Sequence, residues 1–209
     1  MAHFDFLEIG TADFDAECIN AGQNVRGISV EPLKHYLNKL PKKENITYLN
    51  VAVSDKRGVL PIYYLPEETI DRLRLPFWLK GTNSVEKPHP TVAAFLSERI
   101  IKGEILSMSE VLCVEEVSVI TLMDIFNEFQ ISSLDLLKVD TEGHDCVILN
   151  SFLKSDEFKG CKPKRIIYES NSLSPKADQA RINLEATKHG YTVTVLDHEN
   201  TELSLSICE

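Results

Sequence analysis

No two of the five cysteines (Cys18, Cys113, Cys146, Cys161 and Cys208) stand in a C-x-x-C pair, and their number is odd. Neither a disulfide framework nor a zinc site is therefore expected. Reduced thiols, and hence a cytoplasmic protein, are the expectation. No run reaches the roughly 18 apolar residues of a membrane helix, so no membrane span is expected. The opening Met1-Ala2-His3-Phe4-Asp5 has neither the basic nor the apolar region of a signal peptide. The first strand begins within a few residues of it, so no preceding domain is expected. Basic residues are scarce: 22 Lys and Arg stand against 32 Asp and Glu, a formal net charge of -10. A nucleic-acid partner, which calls for a basic surface, is therefore not expected. A neutral or cationic ligand is compatible with that balance.

What remains is an ordinary globular composition, 43% hydrophobic and 26% charged over 209 residues, enough for one α/β domain. Strands are expected at Phe4–Ile9, Val25–Val30, Ile46–Val53, Val59–Tyr64, Val117–Ile120, Leu134–Val139 and Arg165–Tyr168, with Tyr191–Leu196 and Leu203–Ile207 as an antiparallel pair. Between them lie helices at Asp15–Ala21, Leu33–Leu40, after the capping-box pair Thr121 and Asp124, at Asp145–Leu153, and from Ser174-Pro175 to Gly190. Strands alternating with helices predict a mostly parallel sheet covered on both faces. Residues 65–115, with four prolines and the single Trp78, break that rhythm. They read equally as a lid or substrate wall and as a surface insertion.

Two strand ends carry the chemistry. Glu8-Ile9-Gly10 closes the first strand, and Glu31-Pro32 closes the second about 20 residues later. An acid at that second place can accept both hydroxyls of a ribose. Pro32 or Leu33 could flank an adenine, and Asn50, Val51 and Ala52 could border its other face. The turn Gly10-Thr11-Ala12-Asp13-Phe14-Asp15 lacks the glycines of G-x-G-x-x-G and adds acids. It repels a pyrophosphate but tolerates a sulfonium with an ammonium, which favours S-adenosylmethionine over a nicotinamide dinucleotide. Asp13 or Asp15 could equally be a helix cap. At the other end, Leu137-Lys138-Val139-Asp140-Thr141-Glu142-Gly143-His144-Asp145 gathers ionisable groups where a buried strand opens into a helix. Asp140, Glu142 and His144 are the candidates to take a proton from a hydroxyl acceptor. Lys138 and Asp140 share a strand face and could instead be a buried pair. Glu169, ending the next strand, could complete the site or hold its loops. With Asp140 and Glu142 it could also hold a hard cation, but the spacing shows no dedicated metal loop and no metal is assigned.

The Lys138-Val139-Asp140-Thr141-Glu142-Gly143 run resembles the signature of FkbM-type methyltransferases. So, in order, do Glu8-Ile9-Gly10, Val30-Glu31-Pro32, Ala52-Val53-Ser54-Asp55, Thr121-Leu122-Met123-Asp124, Tyr168-Glu169 and His189-Gly190-Tyr191. The resemblance implies a single domain over 1–209 with a Rossmann-like class I methyltransferase fold and a substrate-side insertion at 65–115. The sheet would be seven-stranded, mostly parallel, with an antiparallel C-terminal hairpin. The implied activity is methyl transfer from S-adenosylmethionine, bound through Glu8, Gly10, Thr11, Asp13, Glu31, Pro32, Asn50, Val51 and Ala52. The acceptor would be a hydroxyl of a small molecule or sugar, with Trp78, Asn83, Ser84 and His89 supplying its wall. The family's turn usually carries a further glycine near Asp13-Phe14-Asp15. Its loss keeps open a non-catalytic binding domain on the same fold. A nicotinamide-dependent oxidoreductase shares the Glu31 feature only.

Overall fold

The computed structural model describes residues 2–14 and 16–205. The expected helix start at Asp15, the last residues of the final strand and Cys208 lie outside the described residues. In chain order, β1 (Ala2–Ile9) leads through α1 (Glu17–Asn20) to β2 (Gly27–Val30), and α2 (Lys34–Lys39) leads to β3 (Ile46–Leu49) and β4 (Ala52–Ser54). Then come β5 (Gly58–Tyr64), α3 (Glu67–Arg72), β6 (Ser84–Val85) and α4 (Pro90–Ile101). They are followed by β7 (Cys113–Thr121), α5 (Leu122–Glu128), β8 (Ile131–Val139), α6 (Asp145–Phe152), α7 (Asp156–Gly160) and β9 (Arg165–Glu169). Last are α8 (Lys176–Lys188), β10 (Tyr191–Val195) and β11 (Asn200–Leu205). The chain divides into two compact units, one of residues 1–58 with 118–209 and the other of Val59–Val117.

In the first unit a seven-stranded sheet runs β10-β11-β9-β8-β1-β2-β3. Its central strands are parallel, and β11 pairs antiparallel with both β10 and β9. From Phe6 onward, alternation along β1 divides the core, while Phe4 joins the Leu7 cluster. Leu7 and Ile9 join Ile28, Val30, Leu137 and the helical residues Ile125, Leu149, Phe152 and Ile182. Phe6 packs instead with Cys18, Leu37, Leu40 and Ile46. Helices therefore bury their apolar stripes on both faces, as the strand–helix alternation predicts.

The expected strand Ile46–Val53 is two strands. β3 stays in the large sheet, while β4 pairs in parallel with the end of β7, Ala52 beside Val119 and Ser54 beside Thr121. Asn50 sits at the break, its side-chain amide donating to the carbonyls of Glu31 (3.0 Å) and Pro32 (2.7 Å). The capping box forms: Thr121 Oγ1 accepts from Asp124 N, and the Asp124 carboxylate accepts from Thr121 N. α8 begins one residue later than its expected proline start. Pro175 is the cap, and the Ser174 hydroxyl donates to the Gly143 carbonyl instead (3.4 Å).

The second unit contains residues 65–115. It has its own core of Leu65, Ile70, Leu79, Val92, Leu96, Ile105 and Val111, and β5 pairs antiparallel with β6. Among the described residues no helix is long and apolar enough to cross a membrane.

Phe152 is fully buried, with its ring 4.8 Å from Phe126 and 5.4 Å from Phe158. Phe152→Ala is expected to cost about 3–5 kcal/mol in a denaturant titration, the loss typical of a buried aromatic. A cost below about 1 kcal/mol would mean that this cluster is not the packed centre of the first unit.

Candidate active site

Five parallel strands stop at one level. Val30 pairs with Ile9 and Leu49, and Val139 with Ile9 and Tyr168. The residue after each pair member is therefore Gly10, Glu31, Asn50, Asp140 or Glu169, and these five form one row along the carboxyl edge. The row is hydrogen-bonded across its middle: Gly10 N donates to Val30 O, Asp140 N to Ile9 O and Glu31 N to Leu49 O, at 2.9, 2.9 and 3.0 Å. In open α/β sheets this edge is where ligands bind.

Gly10 is fixed by packing. Its φ is +79°, and a Cβ there would lie 1.8 Å from the Asp140 carbonyl oxygen. Only glycine allows the ends of β1 and β8 to meet so closely. The turn that follows is held by acids. Glu31 Oε2 accepts from Thr11 N (3.2 Å) and Ala12 N (2.8 Å), and Oε1 accepts from Leu33 N (2.9 Å). Glu8 accepts from Glu17 N (2.5 Å), Cys18 N (3.2 Å) and Ser29 Oγ (2.5 Å). Two buried carboxylates thus pin both ends of the loop after β1. Burial pushes the Glu31 carboxyl up to about 7 against three backbone donors that lower it. Burial likewise raises Glu8. Asp13 lies 3.5 Å from Lys39 Nζ. Pro32 is half-buried, Asn50 exposed, Val51 half-buried and Ala52 buried at the start of β4.

At the mouth of β8 the chain turns through two consecutive left-handed residues, Glu142 (φ +53°) and Gly143 (φ +97°). A Cβ at Gly143 would come 2.9 Å from Leu173 Cβ. A non-glycine residue held in this region costs about 1–3 kcal/mol, and such strain clusters at functional sites. The turn is tied down by Asp145, which has no solvent exposure. Its Oδ2 accepts from Thr141 Oγ1 (2.9 Å) and Thr141 N (3.3 Å), and its Oδ1 from Glu169 N (3.3 Å). Burial, then the nearby Asp140 charge, pushes the Asp145 carboxyl up to about 7. Glu169 accepts from Gly143 N (3.2 Å) and Asn171 Nδ2 (2.5 Å). Burial and the negative charges of Glu142, Asp145 and Asp140 raise it to about 9. His144 caps α6, with Nε2 2.9 Å from Ser54 Oγ. Asp140, Glu142 and Glu169 each place a carboxylate oxygen within 4.8 Å of the others, so this trio could hold a cation.

The structure thus sets Asp140, Glu142 and His144 at one strand mouth, beside the turn that holds Gly10, Thr11 and Asp13. Sequence reasoning gave Asp145 no role and missed Ser54 as the partner of His144. Local pattern carries no signal for a contact 90 residues apart. In the second unit, His89 Nδ1 accepts from Thr91 N (3.2 Å) as a helix cap, Asn83 Nδ2 donates to Lys80 O (2.9 Å), and Ser84 Oγ donates to Lys87 O (2.7 Å). Trp78 packs edge-on against Phe95.

A mostly parallel sheet with an antiparallel hairpin at one edge, and three acids in the row across its carboxyl end, is an α/β architecture consistent with a methyltransferase fold. The chain belongs to the FkbM methyltransferase family: the family described as Methyltransferase FkbM domain matches residues 2–193, which include the entire row. A search of curated proteins finds no match to the chain.

An acid whose pKa is higher in the folded than in the unfolded protein favours folding while it keeps its proton. For Glu169 that contribution is full below about 4.5 and is lost as pH rises toward about 9. Denaturant midpoints of the wild type are expected to fall relative to those of Glu169→Gln between pH 5 and 9. A constant difference between the two proteins would show that Glu169 ionises as freely when folded as when unfolded.

Proposed function

We propose that this protein transfers a methyl group from S-adenosylmethionine to a hydroxyl oxygen of a small molecule or sugar. The observation that carries the reading is the row at the sheet's carboxyl edge. Glu31, Asp140 and Glu169 are three acids among its five members, in a chain that belongs to a methyltransferase family. A sulfonium and an ammonium at this edge would favour the ionised forms of these acids, whereas a pyrophosphate would oppose their ionisation. Among the described residues, Glu31 Oε1 takes one backbone bond, from Leu33 N, which leaves lone-pair capacity for a ribose hydroxyl. The donor chemistry therefore suits this cofactor. Pro32 and Asn50–Ala52 would flank its adenine. Gly10, Thr11 and Asp13 would face its amino-acid end, with Glu8 holding their loop.

When bound, the cofactor supplies an electrophilic methyl group on a positively charged sulfur. The protein's part is to align the acceptor oxygen with that methyl, exclude water and remove the hydroxyl proton. Asp140, Glu142 and His144 are the groups within reach of that proton. Ser54 holds the imidazole from the Nε2 side. Four described cysteines are free thiols, which suits a reducing compartment such as the cytoplasm.

Calorimetric titration tests the reading. Ionised Glu31 accepts the ribose hydroxyls, so affinity for S-adenosylmethionine is expected to fall roughly tenfold from pH 8 to pH 6 as the carboxyl takes up its proton. Glu31→Gln is expected to weaken binding by about 1.5–3 kcal/mol, the worth of a hydrogen bond to a charged acceptor. Absence of binding by the folded wild type would overturn the proposal. With a radiolabelled methyl donor and a panel of sugars and small alcohols, His144→Ala, Asp140→Asn and Glu142→Gln separate the candidate bases. Loss of the true base is expected to lower turnover by about 10²–10⁴.

A further inference from the structure

At the opposite end of the same strands lies a second cluster of ligand atoms. β1 and β8 begin with a register shift: Ala2 pairs with Ile131 but His3 with Ser133. The extra residue on β8 is a bulge, a device that re-aims side chains. From there the pairing is regular, with Phe4 beside Leu134 and Phe6 beside Leu136, so Asp5 stands beside Asp135. Side chains two residues apart on a strand share a face, and His3, Ser133, Asp5 and Asp135 therefore form one exposed patch.

Three ligand atoms converge there. His3 Nε2 lies 3.6 Å from Asp5 Oδ1 and 3.8 Å from Asp135 Oδ2, and all three atoms are within 4.8 Å of one another. These gaps exceed the length of an N–H···O hydrogen bond. They approach the separation of neighbouring ligands around a tetrahedral zinc ion, about 3.4 Å for bonds of about 2.0–2.1 Å. Each group is also anchored through its other polar atom. His3 Nδ1 is 3.1 Å from Ser133 Oγ, Asp5 Oδ2 accepts from Arg26 N at 2.7 Å, and Asp135 Oδ1 meets Lys164 Nζ at 2.7 Å. A ring held at Nδ1 with Nε2 turned outward is the usual arrangement of a metal-binding histidine, and such outer bonds fix ligand orientation. The Lys164 ammonium lies on the far oxygen of Asp135. His3, Asp5 and Asp135 side chains are 49%, 40% and 38% exposed, so an ion and its waters have open access.

We propose that His3, Asp5 and Asp135 form a surface site for a divalent transition-metal ion of the zinc type, completed by water. One imidazole and two carboxylates suit zinc better than magnesium, which prefers oxygen ligands alone. Along β1 the site lies about 17 Å (from Asp5) to about 23 Å (from His3) from Gly10, at about 3.3 Å per residue. It clamps β1 to β8 at the amino end of the sheet, away from the row proposed for methyl transfer.

Calorimetric titration of the full chain with Zn²⁺, alongside His3→Gln, Asp135→Asn and Ser133→Ala, tests the site. All three positions are at least partly exposed, so the fold should tolerate these changes, and circular dichroism checks that it does. The expected result is 1:1 binding by the wild type, weakened at least tenfold in His3→Gln and Asp135→Asn. Ser133→Ala should lose about tenfold, the lower end of what outer hydrogen bonds contribute. Mg²⁺ at the same concentrations should give no heat. Binding that persists unchanged in His3→Gln would belong to the thiols or to the Asp140, Glu142 and Glu169 carboxylates and overturn the assignment, as would no binding by the wild type. Equal binding of Mg²⁺ would overturn the choice of metal class.

Discussion

The meeting of Gly10 with the Asp140 carbonyl is the constraint on which the site depends. With no Cβ at residue 10, the ends of β1 and β8 close to contact. The level ending of β3, β2, β1, β8 and β9 then carries this junction into a row. An alanine at residue 10 would push Asp140 away, and with it the Glu142–Gly143 turn that the Asp145 and Glu169 carboxylates hold. Backbone packing at one glycine thus fixes where three acids stand.

Those acids are kept at a cost. Burial raises Glu31, Asp145 and Glu169 well above the ordinary carboxylate range. Each is partly compensated by backbone N–H donors from the loops that would surround a ligand. The same carboxylates therefore shape those loops and tune the charge of the edge. Isolated buried charge is expensive, and strongly perturbed acids gathered in one crevice mark a candidate functional site. A cationic ligand would favour their ionised forms, coupling ligand binding to proton release.

Much of the fold was legible because hydrophobic alternation and turn residues are local. The strands around Leu7, Ile28 and Leu137, the capping box at Thr121 and the C-terminal hairpin all follow from short patterns. The break of Ile46–Val53 into β3 and β4 was not legible. Both halves are apolar, and what divides them is the Asn50 amide reaching back to Glu31 and Pro32. The site followed the same rule. Gly10, Glu31, Asp140 and Glu169 could be picked out as strand ends, but their common level comes from sheet register. The bond between Ser54 and His144, and the joining of Thr141 to Glu169 by Asp145, exist only in the folded chain.

The claim that this edge prefers a positively charged nucleoside is tested most directly by titrating the wild-type protein with S-adenosylmethionine and with NADH under identical conditions. The account predicts saturable binding of S-adenosylmethionine and none of NADH. Binding of NADH without binding of S-adenosylmethionine would contradict it.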